Sequence, residues 1–102
     1  PWGAPDDLNT LMAMVGNVPE DWHWSAFSLG VHQMPYVAAA VLAGGNVRVG
    51  LEDNLYLERG VLATNADLVA RAVEIIRSLG SRVIGPQEVR DRLNLSKRAP
   101  RD

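Results

Sequence analysis

Two adjacent carboxylates and a nearby arginine are the side chains of this sequence best suited to chemistry. Glu52 and Asp53 follow a short run of β-branched residues, and Arg48 lies within that run. In parallel α/β folds, the C-terminal ends of the strands carry the functional site. A carboxylate there can bind a metal ion or act as a general base, but it can also cap a helix or face water. Composition alone favours the plainer, solvated role.

The run that carries these residues, 47–54, is predicted to be a β-strand, because apolar side chains occupy every second position from 47 to 51. In a regular strand, Glu52 and Asp53 would point to opposite faces. Gly50 permits a bulge or bend that brings both carboxylates to the strand's end. Arg48 and Glu52 would lie roughly 13 Å apart in a straight strand, which predicts no direct salt bridge between them.

An arginine that points into a protein interior requires a carboxylate or an anionic ligand, because an unpaired buried charge is costly. Arg48 is therefore either part of a polar site or an exposed arginine at a strand edge. Both interpretations agree equally well with the sequence.

The two histidines do not suggest a metal site. His23 and His32 flank a predicted buried strand over residues 22–29, so extended backbone would separate them by roughly 25–30 Å. Each is expected to be structural, and Trp22 and Trp24 are expected to be core or interface aromatics. The sequence has neither a Gly-x-Ser-x-Gly nucleophile elbow nor a glycine-rich nucleotide motif, so nucleophilic serine chemistry and nucleotide cradles have no support.

Composition limits the possible partners. The 102 residues are 47% hydrophobic with a net charge of −2, which fits one small globular domain or part of one. The ten basic residues are scattered, which argues against nucleic acid as the main partner. The absence of cysteine suits a reducing compartment, and neither a leader-like N-terminus nor an apolar run long enough for a bilayer is present. We therefore expect a cytoplasmic protein without a membrane partner.

Helical patterns alternate with the two predicted strands. The sequence predicts helices from Pro5 to about 15, from Met34 through an entirely apolar body at 36–43, from the Thr64 cap to Gly80, and from Gly85 through 93. Segment 54–63 is predicted to be an apolar loop that packs against another part of the protein. Residues 96–102 are predicted to form a polar tail. The apolar helix has to be covered on all sides, either by a sheet and other helices or by a second subunit, so a homo-oligomer is expected.

Two parallel strands joined by a helix cannot form a closed architecture, because both outer edges remain unpaired. The sequence therefore predicts the closing portion of a larger α/β domain. The simplest form is the C-terminal two strand–helix units of a (β/α)₈ TIM barrel, plus a terminal helix, with residues 1–102 forming one C-terminal segment.

The segment Arg48-Val49-Gly50-Leu51-Glu52-Asp53-Asn54, continued by Arg59-Gly60 and Thr64-Asn65, resembles the β-keto acid cleavage enzymes, whose named member is 3-keto-5-aminohexanoate cleavage enzyme. The similarity extends over nearly the whole chain, and this segment is its specific part. The resemblance implies a (β/α)₈ barrel that binds one Zn²⁺. It also implies a condensation and retro-Claisen reaction in which a β-keto acid and acetyl-CoA give acetoacetate and a new acyl-CoA.

Carried over by position, the resemblance implies that Glu52 is a zinc ligand and that Asp53 is the base that removes the proton alpha to the ketone. It implies that Arg48 positions and tunes Asp53. The two histidines that complete the family's zinc site come from an earlier strand that this sequence lacks, and neither His23 nor His32 fits that role. The remaining ligands are therefore expected outside this chain, and the chain alone is expected to be inactive.

Two alternatives remain. The chain could be a non-catalytic module whose apolar segments, 36–43 and 55–62, bind a partner protein or further copies of itself. It could also belong to another metal-assisted barrel lyase that has a carboxylate at a strand end.

Overall fold

The computed structural model describes residues 3–101, so Pro1, Trp2 and Asp102 and the expectations that concern them lie outside the described residues. The elements in chain order are α1 (Leu8–Val15), β1 (Ser25–Ala26), α2 (Gln33–Leu42), β2 (Asn46–Val47), β3 (Tyr56–Glu58), β4 (Val61–Leu62), α3 (Asn65–Ser78) and α4 (Pro86–Arg92). A short 3₁₀ turn, Gly30–His32, leads into α2. The mixed α/β class is confirmed, whereas the complete barrel stays a prediction.

Strands β1 and β2 form a parallel pair joined by α2, with Ser25 opposite Asn46 and Ala26 opposite Val47. The predicted strands over 22–29 and 47–54 were too long, because only Ser25 and Ala26 of the first range and Val47 of the second are paired. Each strand has a single neighbour in the described chain, so nothing on its outer edge extends the ladder.

The core lies between α2, α3 and the parallel pair. Val37, Ala72 and Ile76 form its buried centre, and Val47 and Val49 pack against that centre. The alternating side chains of Val47 and Val49 therefore face the helices, as the strand pattern predicts.

Helix boundaries follow local capping. Thr64 and Asp67 form a capping box at the start of α3, in which each side chain accepts a hydrogen bond from the other residue's backbone N–H, at 3.1 and 2.8 Å. Helix α1 begins at Leu8 rather than at Pro5, because the Asp7 side chain accepts a hydrogen bond from the Thr10 N–H at 2.8 Å and caps the helix there.

Residues 54–63 form a β-hairpin rather than a loop. Strands β3 and β4 pair antiparallel with an irregular register between Tyr56 and Glu58, and Gly60 adopts a positive φ of 78° at the turn. The apolar side chains of the hairpin are not packed as expected: Leu62 is 71% exposed and Val61 is 50% exposed. This exposure is typical of a surface on which another element or another chain packs.

Other predicted interior side chains are also exposed. In the predicted buried strand, Trp22 is 65% exposed, whereas Trp24 is half-buried over Gly45, where an added Cβ would collide with the indole ring. On α2, Tyr36 and Val37 are buried but Leu42 is 75% exposed. The apolar helix is therefore covered on the side that faces the core and open on the other.

Among residues 3–101, no helix combines the length and the apolar character that a bilayer crossing requires. The segment from Leu95 to residue 101 forms no helix or strand, in agreement with the predicted polar tail.

An arginine–glutamate network ties α4 to the segment that follows α3. Arg82 makes two hydrogen bonds of 2.7 Å with the Glu88 carboxylate, and Arg92 makes a third at 2.7 Å. These contacts, above all the hydrogen bonds from Arg82, lower the pKa of Glu88 to about 2.

We expect this network to make stability dependent on acid pH. A carboxyl with a depressed pKa contributes stability that is present above its unfolded-state pKa of about 4.5 and is lost as the pH falls towards about 2. Glu88→Gln should therefore lower the melting temperature at pH 7 and reduce its fall between pH 4.5 and 2.5, as measured by circular dichroism. Glu20→Gln, a change at an exposed glutamate outside this network, is the control. Identical pH dependence in wild type and Glu88→Gln would contradict the role of the network.

Candidate active site

The chain turns at residues 51–53, shortly after β2, and this turn brings the two acids and the arginine together. The Gly50 carbonyl accepts hydrogen bonds from the backbone N–H groups of Asp53 and Asn54, both at 3.2 Å. Residues Leu51 to Asp53 therefore form a turn rather than the end of a straight strand. The turn lies beyond the C-terminal end of β2, where a parallel fold places its site.

Arg48 and Asp53 form a bidentate ion pair. Arg48 Nε donates to Asp53 Oδ2 at 3.0 Å and Arg48 Nη2 donates to Asp53 Oδ1 at 2.9 Å. The Asp53 side chain is only 5% exposed, whereas that of Arg48 is 50% exposed. Because Arg48 is partly hydrated, the pair contributes more to orientation than to stability.

The guanidinium of Arg48 is further restrained by an aromatic ring and by its charged neighbours. Its central carbon lies 3.9 Å from the centroid of the Phe27 ring, which follows β1. Hydrogen bonding to Asp53, together with the charges of Asp53 and Glu52, raises the pKa of Arg48 above its ordinary value. Arg48 thus connects the ends of the two parallel strands.

Glu52 lies on the open side of this pair. Arg48 Nε is 3.9 Å from Glu52 Oε1, and the Glu52 side chain is 59% exposed. The expectation of about 13 Å between Arg48 and Glu52, with no direct contact, was wrong because the chain turns at residues 51–53 and does not continue as a straight strand. Arg48, Glu52 and Asp53 are grouped on one edge, and Glu52 keeps a carboxylate that faces solvent.

Gly50 leaves room for the Glu52 carboxylate in its observed position. The Glu52 carboxylate folds back over Gly50, so an added Cβ would collide with it. Gly50 is not among the glycines of positive φ, and its role is therefore space rather than left-handed backbone. The predicted bend at Gly50 is observed, although it takes the form of a turn and not of a bulge within a paired strand.

Several contacts from other elements hold the turn, and sequence reasoning missed them. The Gly30 N–H donates to the Asp53 carbonyl at 2.8 Å, the Leu51 N–H donates to Asn65 Oδ1 at 2.9 Å, and Gln33 Nε2 donates to the Gly50 carbonyl at 3.1 Å. One signal was available for Gln33, because it is a polar residue at the start of an apolar helix. No local pattern connects Gly30 or Asn65 with residues 50–53.

A second polar cluster follows β1. Asp6 Oδ2 accepts a hydrogen bond from Ser28 Oγ at 2.5 Å and lies 2.7 Å from His32 Nδ1. Hydrogen bonding from Ser28, followed by that from His32, lowers the pKa of Asp6. Ser28 donates to the carboxylate rather than to the imidazole, so the three side chains do not form a nucleophilic triad. The structural role expected of His32 agrees with this contact.

The described residues do not by themselves form a zinc site. Within residues 3–101, no three histidine, cysteine, aspartate or glutamate side chains are grouped to share a metal ion. Asp53 is engaged by Arg48, and Glu52 is the member of the pair whose carboxylate is open. A catalytic zinc needs about three protein ligands, so this chain fits such a metal only as the donor of one carboxylate.

An open groove of about 460 Å³ lies along the outer face of α3, and its lining includes Leu57, Arg71 and Glu74. Arg48, Glu52 and Asp53 do not belong to this lining.

Comparisons with known proteins agree with the sequence resemblance. A family model described as beta-keto acid cleavage enzyme matches residues 1–95. The "3-dehydrocarnitine:acetyl-CoA trimethylamine transferase" of Rhizobium meliloti (strain 1021) is 67% identical over 98 residues, which are 96% of this chain and 33% of that protein.

Two further relatives carry different substrate names. The "3-keto-5-aminohexanoate cleavage enzyme" of Fusobacterium nucleatum subsp. nucleatum is 41% identical over 85% of this chain and 32% of that protein. The "3,5-dioxohexanoate:acetyl-CoA acetone transferase" of Paraburkholderia graminis is 36% identical over 89% of this chain and 30% of that protein. The chain thus spans about a third of the length of the curated relatives it matches. With the family model matching nearly its whole length, the chain belongs to the beta-keto acid cleavage enzyme family.

Proposed function

We propose that this chain is the C-terminal part of a zinc-dependent enzyme that exchanges a β-keto acid with acetyl-CoA. In this reaction the carbon between the carboxylate and the ketone forms a bond with the acetyl carbon, and the acetyl–sulfur bond breaks to release the CoA thiolate. The CoA sulfur then attacks the original keto carbon, and the bond between that carbon and the alpha carbon breaks. The original acyl group leaves on the CoA sulfur, so the products are acetoacetate and a new acyl-CoA. The observation that carries the proposal is the bidentate Arg48–Asp53 pair with Glu52 beside it.

Asp53 is the proposed base. Arg48 occupies one lone pair on each carboxylate oxygen, which leaves a second lone pair on each to accept the proton from the carbon alpha to the ketone. Since the Asp53 side chain is only 5% exposed, water competes weakly for those positions. Arg48 fixes the direction of the carboxylate, because two parallel hydrogen bonds define its plane.

Glu52 is the proposed zinc ligand, with the other ligands supplied by parts of the enzyme outside this chain. A bound zinc ion would act as a Lewis acid that stabilises negative charge developing on the keto oxygen. The 59% exposure of the Glu52 side chain supports this role, because its carboxylate is open to a ligand.

The exposed apolar side chains support the proposal that further strands or another subunit cover this chain in the complete enzyme. Val31 is 85% exposed, Leu42 75% and Leu62 71%, and they lie on three separate elements. They belong to a larger set of exposed large hydrophobic side chains, whereas only seven hydrophobic residues are buried among the described residues. The same exposure is what the alternative of a non-catalytic interaction module predicts, but the family membership favours the enzyme.

We expect substitutions of Glu52 and Asp53 to have different effects in the full-length enzyme. Glu52→Gln should lower zinc content, measured by elemental analysis, because it removes a charged ligand. Asp53→Asn should keep the zinc and lower kcat by roughly 10²- to 10⁴-fold, the range of a general base. Unchanged zinc content and turnover in both variants would contradict the proposed site.

Replacement of Arg48 tests the bidentate contact. Arg48→Lys keeps the charge but cannot make two parallel hydrogen bonds, so we expect a loss in kcat of roughly 10- to 100-fold with zinc content retained. Arg82→Lys is the matched control, because Arg82 makes the same kind of bidentate pair with Glu88 outside the proposed site. Equal activity of the two variants would argue against a positioning role for Arg48.

Similarity to the relatives favours one substrate. Identity is 67% to the 3-dehydrocarnitine enzyme but only 41% to the 3-keto-5-aminohexanoate enzyme and 36% to the 3,5-dioxohexanoate enzyme. We therefore expect the highest kcat/KM with 3-dehydrocarnitine when the three keto acids are assayed with acetyl-CoA. Faster turnover of either other keto acid would reject this assignment while leaving the general reaction in place.

A further inference from the structure

Gln33 is a wholly buried polar side chain beside the proposed site. It is the first residue of α2 and is 1% exposed. Its Nε2 donates to the Gly50 carbonyl at 3.1 Å, and its Oε1 has no partner among the described residues. A primary amide in such a position is costly unless it is hydrogen-bonded, so the bond to Gly50 is the feature that accounts for a glutamine here.

The Gly50 carbonyl is the centre of the turn that carries the acids. Besides the hydrogen bond from Gln33, it accepts hydrogen bonds from the backbone N–H groups of Asp53 and Asn54, both at 3.2 Å. The three bonds have similar lengths, 3.1 to 3.2 Å, and of these only the Gln33 bond comes from a different element. Gln33 therefore fixes the direction of this carbonyl from outside the turn.

The same short segment also holds the other end of the turn. Gly30, three residues before Gln33, donates its N–H to the Asp53 carbonyl at 2.8 Å. The Gln33 backbone N–H donates to the Gly30 carbonyl, which closes the 3₁₀ turn between them. Segment 30–33 thus forms hydrogen bonds with the backbone of the turn at both Gly50 and Asp53.

We propose that Gln33 is a positioning residue for Asp53, acting through the Gly50 carbonyl. It aims the Asp53 carboxylate at Arg48 and at the substrate carbon without touching either, and in that respect it rests on the function proposed above. A side chain one bond shorter, or one without an N–H, leaves the Gly50 carbonyl without a bond from outside the turn, so that only Gly30 and Asn65 hold the turn from other elements. The carboxylate then samples a wider range of directions, which lowers the fraction of productive encounters.

The test uses Gln33→Met in the full-length enzyme, with Gln87→Met as control. Methionine keeps the length of the side chain and removes the donor, and because Oε1 has no described partner, it breaks only the bond to Gly50. Gln87 is an exposed glutamine on α4 whose side chain contacts only Asp91 and Arg90. Backbone amide exchange of residues 50–54 is measured by mass spectrometry, alongside kcat, KM and zinc content.

We expect Gln33→Met to raise amide exchange at 50–54 at least severalfold and to lower kcat roughly 10-fold, with KM and zinc content within about twofold of wild type. Gln87→Met should change none of these. A role in general stability alone would raise exchange across α3 as well and would leave kcat per folded molecule unchanged, which would overturn the proposal.

A second variant decides the matter if Gln33→Met does not fold. Gln33→Asn keeps an amide but is one carbon too short to reach Gly50, so we expect the same fall in kcat; wild-type behaviour would overturn the proposal. The two hypotheses fail differently. An inactive wild-type enzyme would reject the proposed function, whereas unchanged amide exchange at 50–54 in Gln33→Met would reject the positioning role.

Discussion

The arrangement at the candidate site depends on the turn at residues 51–53, shortly after β2. While the backbone is extended, neighbouring side chains point to opposite faces, and residues four apart are too distant to touch. The turn centred on the Gly50 carbonyl removes both limits, so that Arg48 reaches Asp53 at 2.9 Å and Glu52 at 3.9 Å. A two-residue paired strand is enough, because the strand only has to deliver the turn to the edge of the fold.

Contacts from three separate regions of the chain hold this turn and its arginine. Gln33 and Gly30 bind it from the segment that leads into α2, Asn65 from the first turn of α3, and the Phe27 ring stacks on Arg48 from the end of β1. Helix α3 is itself started by the capping box at Thr64, so local capping and site geometry are coupled through Asn65. The site is therefore a property of the packed layer and not of one loop.

The apolar side chains of this layer are buried on one side only. The apolar faces of α2 and α3 that meet each other are buried around Val37 and Ala72, whereas the outer side of α2 and the hairpin present large apolar side chains to solvent. A parallel pair normally continues into a wider sheet that is covered on both faces. The unextended parallel pair and the match to about a third of each relative both support the proposal that this chain is one part of a larger α/β domain.

Local sequence determined much of this protein. The helix over 65–78 follows from the Thr64 cap, its apolar stripe and the glycine after it, and the short α4 follows from a proline at its first residue. The alternation of Val47 and Val49 correctly indicated which face meets the core, and the segment from Arg48 to Asn54 carried the family resemblance that the family match confirms. These are properties of residues close in sequence, where propensity and periodicity act directly.

Only the tertiary structure decided where the strands end, that residues 54–63 pair as a hairpin, and how the three charged side chains meet. Strand length depends on neighbours, and β1 and β2 have only each other in the described chain. The Arg48–Asp53 geometry depends on bonds such as that from Gly30 to Asp53, which join residues far apart in sequence. No local pattern encodes such a contact, because it forms only when two separately folded segments are brought to the same edge.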